Sequence, residues 1–317
     1  MVHIRDIHQA REQIADIIHT TPLLTSKQLS SICGNNIFLK GEHLQKTGAF
    51  KIRGATNKVK QAAQEGATFV TAASSGNHGQ AVAYIANVLG IDATIVVPED
   101  ATASKLHAIE SYHGTIEKCG FTSAERIPRA KELAQEKNGV FIPPYDDPLI
   151  IAGQGTVGLE ILEQLADVDT IVVPVGGGGL ISGILTAVKE TKPQVRVIGV
   201  EPAIANDTYQ SLEQGEITAI AGTQTLADGL RTIQPGDMTF PIVQKYVDDL
   251  VLVSEQEIRQ ALFFVLERMK QLIEPSSAVS VAAAMFDKLG VRDKKVVCVL
   301  SGGNADVRKL ADIFPED

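Results

Sequence analysis

Short runs of consecutive apolar residues, rich in β-branched side chains, recur along the 317-residue chain at Ile37 to Leu39, Ala67 to Val70, Ala93 to Val97, Thr170 to Val175, Val195 to Val200 and Lys295 to Leu300. Runs of this length without polar alternation suit strands buried on both faces. Between most of them lie helical patterns, Ala81 to Leu89 and Leu180 to Lys189 among them. The alternation predicts an α/β fold, parallel sheets flanked by crossover helices. A further helix is predicted where Ser254-x-x-Glu257 forms a capping-box spacing ahead of Ile258, Leu262, Val265, Leu266, Met269 and Leu272 on one face. No repeat or low-complexity linker marks a domain boundary. Pro143-Pro144 and Pro148 offer one crossing point between lobes.

One stretch changes that picture if read by hydropathy alone, because Ile171 to Val188 carries no charge and is long enough for a membrane span. Pro174 and the four glycines Gly176 to Gly179 would interrupt such a helix at its middle, leaving backbone groups without partners in hydrocarbon. A buried strand, a glycine loop and a buried helix are expected instead, and no membrane partner. At 44% hydrophobic residues the chain can bury one large core or two modest ones, which excludes disorder. The net charge of -9, with no local Lys/Arg run, argues against nucleic acid. Three widely spaced cysteines, Cys33, Cys119 and Cys298, form neither a disulfide framework nor a zinc motif, and the N-terminal residues lack an apolar signal core. A cytoplasmic protein is expected.

Four segments carry candidate chemistry. Gly176 to Gly179 follows the strand pattern TIVVPV and opens the helix pattern LISGILTAVKE, so bare N–H groups and a helix N-terminus converge in an anion cradle; a tight turn between packed backbones is the alternative. The loop Ser74-Ser75-Gly76-Asn77-His78-Gly79 repeats the strand-loop-helix arrangement, suited either to a carboxylate or to a capping serine, and His78 alone reads as a hydrogen-bonded structural histidine. Lys51, in GAFKIRGA, sits on a short, partly apolar segment where desolvation favours the neutral amine that bonds carbonyl carbon. In Glu201-Pro-Ala-Ile-Ala205-Asn-Asp207, two carboxylates and a backbone carbonyl could bind a hard cation, or form a solvated acidic turn.

GAFKIRGA, SSGNHG, GGGG and Ser301-Gly302-Gly303-Asn304 together, over nearly the whole chain, resemble the fold-type II pyridoxal-phosphate enzymes. Phe141 to Ile161 and the order of motifs resemble the serine and threonine dehydratases and the serine racemases within that group. The resemblance implies a two-domain, tryptophan synthase β-like fold, with residues 1–57 and 147–317 in a large cofactor-binding domain and 58–146 in a small mobile one. It assigns Lys51 to the cofactor bond and to proton transfer, Phe50 to the ring, Asn77 to the 3-hydroxyl, Gly176, Gly177, Gly178 and Gly179 to the phosphate and Ser301 to the pyridine nitrogen. Ser74, Ser75, Asn77 and His78 would hold the substrate carboxylate. Arg126 would join them on closure, or remain a surface helix cation. Ser75 matches the second proton donor of serine racemases, where several catabolic threonine dehydratases have alanine.

Glu201, the Ala205 carbonyl and Asp207 resemble a magnesium, calcium or manganese site in the racemases and their metal-responsive relatives. Lys46 and Thr47 fall where racemases meet a nucleotide effector. The implied activity converts L-threonine or L-serine to a 2-oxo acid and ammonia; serine racemase with dehydratase side activity, 3-hydroxyaspartate dehydratase and a non-catalytic ligand-binding module are the alternatives. A homodimer is implied as well, and the chain carries no counterpart of the C-terminal regulatory extension of biosynthetic threonine dehydratases.

Overall fold

The computed structural model describes residues 1–314. Among the described residues ten strands form two sheets: β1 Leu23–Thr25, β2 Asn36–Gly41, β3 Phe69–Ala73, β4 Asp92–Val97, β5 Thr115–Lys118, β6 Val140–Phe141, β7 Thr170–Pro174, β8 Arg196–Pro202, β9 Asp249–Val253 and β10 Lys295–Leu300. The six-stranded sheet has the order β1-β2-β10-β7-β8-β9 and the four-stranded sheet β5-β4-β3-β6. Every pairing is parallel except β1 with β2, an antiparallel edge absent from the sequence expectation.

Why the central strands read as unbroken apolar runs is visible in their packing. On one face of the larger sheet Ile37, Leu39, Val172, Ile198, Val200, Val296, Cys298 and Leu300 join a core with Ala278, Val281 and Ala282 of the helix Pro275–Met285. On the other, Ile171, Val173, Val197, Val297 and Val299 meet Ile151, Ile181, Ile184 and Leu185. Successive strand residues therefore alternate between two buried layers, and neither layer can be polar.

The uncharged stretch resolves into β7, a glycine loop and the helix Gly179–Lys189. No helix among the described residues is long and apolar enough to cross a membrane. The helix Pro148–Gln164 packs tightly against the helix Lys51–Gln64 because two glycines face each other: a Cβ on Gly153 would lie 2.6 Å from the Gly54 Cα. The predicted boundary at residue 57 falls inside Lys51–Gln64.

The helix predicted from Ser254 onward has its capping box, with Ser254 Oγ accepting from Glu257 N. It differs at its C-terminal end. The α-helix stops at Phe264, a π-helical turn spans Val265–Met269, and Lys270 adopts φ 57°. The extra residue in that turn rotates the following chain, so Leu272 is 43% exposed rather than on the buried face. The same rotation leads the chain to Glu274, the N-cap of the helix Pro275–Met285.

Candidate active site

Lys51 is the first residue of its helix, and Phe50 is the N-cap. Phe50 N donates to Ser301 O at 3.0 Å, and Ala49 bridges Gly302, so the segment is fixed at the carboxyl end of β10. The Lys51 amine enters a cavity of about 300 Å³ where the carboxyl ends of β3, β7 and β10 converge, the usual ligand position in parallel sheets. Its Nζ donates to Pro144 O at 2.5 Å, and burial draws its pKa down to about 8. An appreciable neutral fraction near pH 7 makes it a usable nucleophile and base.

Gly176 to Gly179 line the opposite wall and lead into Gly179–Lys189, whose first N–H groups have no intrahelical partner and carry the positive end of the helix dipole. Glycine is required here for space, because a Cβ on Gly177 would lie 2.4 Å from the Tyr145 ring. Gly178 has φ +89°, and the Gly177 carbonyl accepts from Thr239 Oγ1 at 2.8 Å. Asp146 braces that support by accepting from Met238 N at 2.8 Å. These features fit a phosphate, and with Lys51 beside them they fit an aldehyde carrying one.

Ser74, Ser75, Asn77 and His78 form a third wall at the start of the helix Asn77–Leu89. His78 is buried; desolvation, with Lys51 nearby, draws it down to about 3, so it is neutral and its Nε2–H donates to Ile142 O at 2.9 Å. Its side chain has the structural role suggested for a lone histidine, which leaves its backbone N–H for a ligand. Arg126 lines the cavity too, with Nη2 donating to Ser123 Oγ at 3.3 Å and buried Nε and Nη1 without protein partners. Ser301 is buried, with Oγ 3.2 Å from Ser277 Oγ. Phe50, Lys51, Ser74, Ser75, Asn77, His78, Arg126, the four glycines and Ser301 thus line one cavity.

Glu201, Ala205 and Asp207 lie apart from it. Both carboxylates are wholly buried, which replaces the solvated acidic turn with an interior pair. Glu201 accepts from Thr208 N at 3.0 Å and Tyr209 N at 2.8 Å, and Asp207 accepts from Thr232 Oγ1 at 3.2 Å. Burial and then the charge of Asp207 push Glu201 up to about 8, and burial pushes Asp207 up to about 6. Two enclosed carboxylates held by backbone and hydroxyl donors fit a hard cation by charge and donor type. Thr232 also lines the cavity, which connects the two places. Lys46 and Thr47 sit in a short turn outside the cavity lining, with Thr47 buried.

Sequence reasoning missed Tyr145, Asp228 and Glu274, all of which line the cavity. Glu274 had a local signal: a polar residue before Pro275 is a helix start, which places its side chain at a positive helix end.

Against known proteins, the pyridoxal-phosphate dependent enzyme family matches residues 14–302. An L-threonine ammonia-lyase of Thermotoga maritima is 45% identical over 315 residues, 99% of this chain and 78% of that protein. A serine racemase of Dictyostelium discoideum is 42% identical, covering 99% of this chain and 98% of that protein. Among solved structures, maize serine racemase superposes with a TM-score of 0.94 at 39% identity, over 98% of this chain and 96% of that one.

Proposed function

This chain belongs to the pyridoxal-phosphate dependent enzymes, and from that premise we propose that it is an ammonia-lyase converting L-threonine or L-serine to a 2-oxo acid and ammonia. The observation that carries the reading is one cavity in which a desolvated Lys51 amine faces a glycine-opened helix N-terminus. Pyridoxal phosphate, when bound, accepts electron density from the substrate α-carbon. Lys51 would hold it, Gly176 to Gly179 would take its phosphate, Asn77 would meet its 3-hydroxyl, Phe50 would pack near its ring and Ser301 would face its pyridine nitrogen. A neutral hydroxyl at that nitrogen weakens electron withdrawal and favours expulsion of the β-substituent over transamination.

Ser74, Ser75 and Asn77, with the His78 backbone N–H and Arg126, orient the substrate carboxylate. Lys51 Nζ, once free, takes the α-proton, and the β-hydroxyl departs with its bonding pair and with that proton, returned by the Lys51 ammonium, as water. The unsaturated amine released hydrolyses to the 2-oxo acid and ammonium. Residues 58–146, which carry the four-stranded sheet, close over the cavity as the small mobile domain. Ser104 to Asp306 at 3.0 Å and Lys105 to Asp228 at 2.9 Å support such a closure, tying the helix Ala103–Ser111 to the larger domain.

Serine racemase is the second reading, supported by Ser75 in the cavity lining. Following pyruvate and D-serine from L-serine in one sample, with L-threonine and 3-hydroxyaspartate in parallel, separates the readings. Elimination is expected to outrun racemisation; the reverse would overturn the lyase assignment. Ser75→Ala should lower D-serine turnover about 100-fold while leaving elimination from the L-isomer within a few-fold. Equal losses on both isomers would remove its special role. A colourless protein would support a non-catalytic ligand-binding module.

A magnesium, calcium or manganese ion at Glu201, the Ala205 carbonyl and Asp207 belongs to the same proposal. Adding magnesium or calcium to chelator-treated protein should raise the melting temperature, by about 2.7 kcal/mol of stability at a hundredfold excess over Kd. A melting curve indifferent to these ions would contradict the site. A cytoplasmic homodimer completes the proposal, supported in its compartment by three unpaired thiols.

A further inference from the structure

We infer that Glu274 and Asn304 are positioning residues that lock the Asn77 amide in one orientation, so that Asn77 can only donate toward the cofactor. The inference rests on the proposed cofactor contact of Asn77 and concerns what that contact does. Amide oxygen and nitrogen look alike in shape, so the orientation must come from partners of fixed polarity. Such partners exist at both ends.

At one end, the Thr47 carbonyl can only accept, which makes the Asn304 group 2.7 Å from it the Nδ2 amide nitrogen. That same Nδ2 donates to Asn77 Oδ1 at 2.8 Å. At the other end, Asn77 Nδ2 lies 2.9 and 3.1 Å from the two Glu274 oxygens. Burial pushes Glu274 up to about 7 while the Asn77 amide donor favours its charged form; as a carboxylate it only accepts, so both ends demand the same orientation. Reversing the amide would oppose two donors at Asn304 and two acceptors at Glu274; Glu274 is buried and Asn77 half-buried, so the unmade hydrogen bond at the Glu274 end is the costly one.

Local structure holds the clamp rigid. Glu274 is buried and caps the helix Pro275–Met285, with its N–H donating to Gly302 O at 3.1 Å, and the π-helical turn ahead of it sets its approach. Asn304 ends the Ser301-Gly302-Gly303-Asn304 motif, whose first residue, Ser301, lines the same cavity. Asn77 keeps one Nδ2 hydrogen for the cavity. With the cofactor bound, a ring oxygen receiving that hydrogen would act as acceptor and leave its own proton to the Lys51 side. The clamp therefore selects a tautomer as well as a position.

The test compares parent, Glu274→Gln, Asn304→Ala and the double variant Glu274→Ala/Asn304→Ala, each loaded with pyridoxal phosphate. Readouts are the absorption spectrum, cofactor Kd by fluorescence, and borohydride reduction with mass mapping of the adduct. The double variant should keep its adduct on Lys51, lose the long-wavelength band to one in the near ultraviolet and bind cofactor about 10-fold more weakly. Its shift should exceed the sum of the single changes, because either end alone restrains the amide. Glu274→Gln retains an accepting oxygen and should keep the parent spectrum, while Asn304→Ala should move the spectrum slightly in the direction of the double variant. A parental spectrum in both Asn304→Ala and the double variant, or a Glu274→Gln shift as large as the double variant's, overturns the clamp while leaving the function intact. Absence of any Lys51 adduct in the parent overturns both.

Discussion

Lys51→Ala is expected to reduce kcat by about 1,000-fold or more, because one side chain supplies both the cofactor bond and the base that moves the α-proton. The loss should be confined to chemistry. Lys51 makes one hydrogen bond, to Pro144 O, and its amine is partly stripped of water, as its lowered pKa records. Removing it relieves a desolvated group, so the cofactor-free variant should melt no lower than the parent at pH 7. The sign follows from its pKa, which is about 8 in the fold against 10.5 for an ordinary lysine. Below about pH 8 the amine is charged in both states and the folded protein bears the full desolvation cost; as pH rises toward 10.5 the cost disappears. The variant's advantage should therefore be largest at neutral pH and shrink through that window. Parallel melting curves with activity assays check both parts. A variant that is inactive because it is unfolded would contradict them.

Arg53→Met should be the most damaging single change to stability, costing about 3–5 kcal/mol in urea unfolding. Arg53 is wholly buried two residues beyond Lys51 and makes five short contacts. Its Nε and Nη2 meet the Glu42 oxygens at 2.7 and 2.9 Å, and Nη1 and Nη2 meet those of Glu160 at 2.7 and 2.9 Å. Nη1 also donates to Thr156 Oγ1 at 3.0 Å. Lys40 Nζ completes the set at 2.6 Å from Glu160. Two cations balance two carboxylates, and methionine would leave one lysine for both. Lysine at 53 would restore the charge without the planar fork that spans two carboxylates, so rescue should be partial. A cost below about 1 kcal/mol would show that the interior readily reorganises.

Why the sheets were largely legible and the network was not follows from the range of the forces involved. Strands β3, β4, β7, β8 and β10 are buried on both faces, and that demand is written locally as an apolar run. β1, β5 and β6 are short and partly exposed, so their sequences need not be apolar; β9, at an edge, was missed although its pattern is apolar. The π-helical turn at Val265–Met269 was invisible because each residue in it suits an ordinary helix. Within the site, glycines and the strand-loop-helix units were readable since a helix N-terminus is a local object. Glu274 meets Asn77 across 197 positions of chain, and Arg53 meets Glu160 across 107. Only the fold brings such pairs together, and a lone glutamate or arginine carries no trace of its partner. The roles of Lys51, Ser301 and Glu201 came from the resemblance of whole motifs, which composition could not supply.

The most direct test of the account is borohydride reduction of the pyridoxal-phosphate-loaded protein followed by peptide mass mapping. A single adduct on the peptide containing Lys51, absent from Lys51→Ala, is the predicted result. An adduct on another lysine, or none, would contradict the account.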